Sequence, residues 1–149
     1  MSEPARWTEE QLAEHMARHG QPGRTVPPQP KRSTVARGRQ MNKSEAQYAA
    51  LLEGLKASGQ IAGYGFEAIT LKLAEGCRYT PDFAVWRASG ALEFHEVKAA
   101  RRRKSGRVGA HMEDDARVKI LTAAKLFPFA TFFVVWLNQG KWVIEEIRK

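Results

Sequence analysis

The stretch "YTPDFAVWRASGALEFHEVK", residues 79–98, decides how the chain is read. Two runs of strand-forming residues flank Ala88-Ser89-Gly90, a turn composition, so the stretch predicts an antiparallel hairpin. A turn centred there sets Asp82 opposite Glu96, Ala84 opposite Phe94 and Trp86 opposite Leu92, and directly opposed residues share a face. Lys98, two residues beyond Glu96, shares that face as well. His95 points the other way with Glu93 and Val97, and reads as a structural histidine.

Two carboxylates held side by side repel, and partial burial beside Ala84 and Phe94 makes each harder to ionise. A divalent cation offsets both effects. Magnesium prefers hard carboxylate oxygens, retained waters and phosphate oxygens, so Asp82 and Glu96 are the candidate metal ligands. Such a cation activates water and neutralises charge on a phosphoryl group, while the Lys98 ammonium can orient the attacking water or stabilise the pentavalent centre. The reaction class to which this set points is phosphodiester hydrolysis.

Outward from the hairpin, residues 42–58 read as a helix with Tyr48, Leu51, Leu52 and Leu55 on one face and Gly59 stopping it. Asn42 and Glu45 have the spacing of a capping box at its start. Residues 64–73 and 79–86 read as strands, residues 91–98 as a third, and the Gly- and Arg-rich segment after it as a loop. A helix over residues 113–127 follows, with Ala116, Ile120, Ala123, Ala124 and Phe127 at helical spacing, and Pro128 ends it. "ATFFVVWL" (130–137) and "KWVIEEI" (141–147) are the last two strands, joined by Asn138-Gln139-Gly140. The fold class is therefore α/β, a mixed central sheet flanked by helices.

Residues 7–19 have the spacing of a short helix, and residues 20–39 hold four prolines and three glycines. Residues 1–41 are accordingly read as a short helix and a flexible basic arm, and residues 42–149 as the domain. The lone Cys77 has neither a pairing partner nor a metal-site spacing, and no apolar run approaches the roughly 18 residues of a membrane span. With no signal segment in view, the expectation is an intracellular, cytoplasmic protein without a membrane partner.

The net charge of +8 is concentrated in two windows. Residues 31–43 carry Lys31, Arg32, Arg37, Arg39 and Lys43, and residues 98–107 carry Lys98, Arg101, Arg102, Arg103, Lys104 and Arg107, with no acid in either. Without those eleven, 13 basic residues remain against 16 acids. A nearly balanced body bearing two positive windows suits a polyanion. Arg37, Arg39, Lys43, Arg101, Arg102, Arg103, Lys104 and Arg107 are the candidate contacts to a polyanion such as nucleic acid.

Pro81-Asp82 followed by Glu96-Val97-Lys98 resembles the PD-(D/E)XK motif of the restriction-endonuclease-like nucleases, with the strand-turn-strand context between its halves. The resemblance covers residues 42–133. It implies a restriction-endonuclease-like core in which Asp82 and Glu96 bind the metal, the Val97 carbonyl is a third ligand, Lys98 is the catalytic lysine, and Glu45, on the preceding helix, is an auxiliary ligand or water organiser. Within that superfamily the "SE" helix behind a basic segment and "YTPDF…FHEVK" look most like phage-encoded and archaeal-type Holliday-junction resolvases. What the resemblance implies is a magnesium-dependent DNA endonuclease, with manganese able to substitute, acting on branched DNA in the cytoplasm, in phage-encoded cases that of the host. Two symmetric cuts in a four-way junction imply a homodimer. The alternatives are a phage endonuclease of the same fold cutting duplex or flap DNA, and a DNA-binding module whose site is silent.

Overall fold

The structure is a computed structural model that describes residues 38–148 together with Glu10 and Glu14. The chain divides into two units between Arg39 and Gln40. Of the expected helix over residues 7–19 only Glu10 and Glu14 are described, and most of the basic arm, Arg37 included, lies outside the described residues.

Helix α1, Lys43–Ala57, starts where the sequence supplies a reciprocal cap. The Asn42 side chain accepts from the Glu45 N–H at 2.9 Å, and the Glu45 carboxylate accepts from the Asn42 N–H at 2.8 Å. Two N–H groups that the helix leaves without partners are satisfied in this way. Gly59, at a φ of +75°, turns the chain out of the helix. Strands β1 (Ile61–Phe66), β2 (Leu71–Ala74), β3 (Cys77–Tyr79), β4 (Phe83–Arg87), β5 (Leu92–Val97), β6 (Ala100–Arg102) and β7 (Val108–Ala110) follow. Then come helix α2 (Asp114–Leu126) and strands β8 (Ala130–Asn138) and β9 (Lys141–Glu146).

Five strands form a mixed sheet in the order β1-β4-β5-β8-β9. Its neighbours are antiparallel except β5 and β8, which run parallel and therefore need the crossover that α2 provides. On one face α2 packs Ile120, Ala123 and Ala124 against Phe94, Phe132 and Val134. On the other, Tyr48 and Leu52 of α1 pack against Phe83, Val85, Val97 and Val135. Because side chains alternate along a strand, consecutive residues of β5 belong to opposite cores.

The α/β class and the helices expected over residues 42–58 and 113–127 are as the sequence predicts, but three of its segments are built differently. The single strand expected over 64–73 is two: β1 ends at Phe66, Glu67 takes a φ of +45°, and β2 pairs with β3 in a separate hairpin. The strand expected over 79–86 is interrupted between Tyr79 and Phe83. Pro81, which has no N–H to give to a ladder, sits buried in that break. The Arg-rich loop is an ordered ribbon, β6 pairing antiparallel with β7. None of the described helices is long and apolar enough to cross a membrane.

Candidate active site

The β4–β5 register is the one the hairpin predicts: Phe83 pairs with His95, Ala84 with Phe94 and Trp86 with Leu92. One step beyond the ladder stands Asp82, and its carboxylate accepts from the Val97 N–H at 2.8 Å. Glu96 projects toward the α2 face, where one carboxylate oxygen pairs with the Lys98 ammonium at 2.8 Å and the other accepts from the Tyr79 hydroxyl at 2.9 Å. Asp82 and Glu96 are both buried, whereas Lys98 is partly exposed. Asp82, Glu96 and Lys98 are therefore brought together at the end of β5.

Burial pushes the Asp82 carboxyl up to about 7, the neighbouring Glu96 charge pushes in the same direction, and the Val97 N–H bond pulls it back only in part. This is the electrostatic signature of two carboxylates drawn into one poorly solvated spot. Additional positive charge would relieve it. Glu45 is buried, and its charge also bears on Asp82, although its carboxylate serves the α1 cap. Cap and neighbour to the site are compatible roles for this residue.

Among the described residues no three His, Cys, Asp or Glu side chains form a closed metal cage. A magnesium-type cation does not need one, since it is held by one or two carboxylates with water and phosphate oxygens completing its shell. The donor set at Asp82 and Glu96 fits such an ion: hard oxygens, and a carboxyl whose raised pKa marks negative charge short of compensation.

His95 lies on the opposite face. Its Nδ1 is 2.6 Å from the Tyr48 hydroxyl and its Nε2 is 3.0 Å from the Glu93 carboxylate, so both ring nitrogens are engaged in the α1 core. It is the structural histidine the alternation predicts.

The β6–β7 ribbon starts at Ala100, just after Lys98, which is one residue past the end of β5. Arg101 pairs with Gly109 and Arg102 with Val108, and the Arg103 N–H donates to the Arg107 carbonyl at 2.8 Å. Alternation then sets Arg101, Arg103 and Arg107 on one face and Arg102 on the other. Gly109 leaves that first face open, and the Arg103 guanidinium lies over it. Arg101 reaches His111, 3.2 Å away. Arg101–Lys104 with His111 line a cleft of about 330 Å³. Lys43 is exposed at the first turn of α1, and Arg39 belongs to the first unit.

Sequence reasoning missed Tyr79. Strand patterning assigns it only a place in the sheet, yet its hydroxyl holds Glu96; its position three residues before Asp82, across a proline, is the available signal. Comparison of the chain with protein-family models, with curated proteins and with solved structures yields no match.

Proposed function

We propose that the chain is a divalent-cation-dependent endonuclease that hydrolyses DNA phosphodiester bonds, with a restriction-endonuclease-like core and a preference for branched substrates such as the four-way junction. The observation that carries the reading is the convergence of Asp82 and Glu96, both buried, beside the Lys98 ammonium. The order helix, three sheet strands in a meander, crossover helix and parallel strand agrees with the core that the sequence motif implies.

Asp82 and Glu96 would hold the cation, with the Val97 carbonyl as a further ligand and Glu45 as an auxiliary acid. Magnesium, or manganese in its place, supplies Lewis acidity and charge neutralisation at the scissile phosphate. Lys98 contributes a localised positive charge next to the reacting phosphate, where it orients water and stabilises developing negative charge. Tyr79 keeps one Glu96 oxygen turned away from Lys98 and fixes the rotamer of the carboxylate. The ribbon cations grip the backbone on either side of the cut.

A gel assay on a four-way junction, a flap, a linear duplex and a single strand of matched sequence tests this reading, with a chelator control. Cutting in magnesium or manganese, abolished by chelator and by Glu96→Ala while DNA binding persists, is the expected result. Preference among the four substrates separates junction resolution from duplex or flap cleavage. A wild-type chain that binds all four and cuts none would leave a DNA-binding module.

A further inference from the structure

We infer that β9 is the docking edge for a second copy of this chain, the two sheets joining antiparallel about Val143. The inference concerns assembly and holds whether or not the chemistry proposed above is right.

β9 ends the sheet order, and its outer side has no strand beside it among the described residues. The phase of its backbone is fixed: Ile147 donates its N–H to the Phe132 carbonyl on β8, so odd-numbered residues turn their peptide groups inward. Trp142, Ile144 and Glu146 therefore turn theirs outward, as an unpaired antiparallel edge does. A cleft of about 610 Å³ curls around this edge, lined by Trp136 and Val143 from one face and Ile144 from the other. Ile144 is 49% exposed, and the buried Trp136 indole N–H, in the same cleft, has no hydrogen-bond partner among the described residues.

Charged residues on an edge ordinarily discourage pairing. Here they choose a register. Two copies related by a two-fold axis through Val143 set Lys141 opposite Glu145 twice, Trp142 opposite Ile144 twice, and Val143 opposite itself. Slipping by one step to centre on Ile144 sets Glu145 against Val143 and Glu146 against Trp142. A further slip sets Glu145 against Glu145, which is repulsive. The Val143 register also suits the backbone, because Trp142 and Ile144, whose peptide groups face outward, become the hydrogen-bonded pair. The joined sheet would carry both Glu96–Lys98 clusters on one face, five interstrand steps or about 24 Å apart across the strands.

Val143 facing itself is a non-hydrogen-bonded pair, where Cα atoms approach to about 4.5 Å, within disulfide reach. The test introduces Val143→Cys or Ile144→Cys into the full chain carrying Cys77→Ser, with sedimentation of each unmodified parent. The expected result is a dimer that V143C locks covalently on mild oxidation and I144C does not. Lys141→Glu should weaken the dimer roughly tenfold or more, and adding Glu145→Lys should restore it. A monomer at micromolar concentration, a dimer that I144C crosslinks in preference to V143C, or a charge swap without rescue would overturn the inference.

Discussion

Tyr79 tests whether the site is built or incidental. Burial, reinforced by the Glu96 charge, holds its phenol well above the usual range, so it stands as a permanent donor to that carboxylate. Tyr79→Phe keeps the ring in the α2 core and removes only the donor. Partners of a metal ligand typically contribute ten- to a hundredfold in affinity or activity. We expect the cation concentration for half-maximal cleavage to rise by roughly that factor with little change in melting temperature. A shift in melting temperature alone would make Tyr79 merely structural.

At Asp82 the same burial has a consequence for stability. Its folded pKa, about 7, lies above the unfolded value of 3.8, so the folded chain binds this proton more tightly. Stability contributed by that proton is complete below about pH 4 and is lost as pH rises toward 7. Asp82→Asn cannot ionise, yet its amide oxygen still accepts from Val97. In chelator, the variant should therefore melt higher than the parent at pH 8 and no higher at pH 4. Equal melting temperatures at both values would contradict the burial argument.

At the level of elements, the β4–β5 hairpin was legible because a Ser-Gly turn and alternating apolar residues fix its register together. That register alone sets Asp82 beside Glu96. The breaks at Glu67 and Pro81 were not legible, since two short strands and one long strand share the same alternation. The β6–β7 ribbon was hidden for another reason: Arg101–Arg107 has no apolar period, and the pairing is anchored by Ala110, packed against the α2 core. The ribbon sets Arg101, Arg103 and Arg107 on one face, where they act together. Replacing Arg101, Arg102 and Arg103 should shallow the dependence of log affinity on log salt by roughly 0.7–0.9 per lost phosphate contact. An unchanged slope, measured by fluorescence anisotropy on duplex DNA, would remove the ribbon from the interface.

For the whole molecule, the fold separates two tasks by strand alternation. Even-numbered residues of β5 serve the α2 side, where Glu96 meets Tyr79 and Lys98. Odd-numbered ones serve the α1 side, where His95 and Val97 lock the sheet to Tyr48. The charge is divided along the chain as well, with eleven cations in residues 31–43 and 98–107 and 13 basic residues against 16 acids elsewhere. Tyr48→Phe would loosen the α1 side and leave the Glu96 cluster in place. The claim on which the functional reading rests is that Asp82 and Glu96 together bind one kind of cation. Calorimetric titration of manganese into the wild-type chain, Asp82→Asn and Glu96→Gln measures it without reference to any DNA. Binding by the wild type that either substitution abolishes is the predicted result; equal heats from all three chains would contradict it.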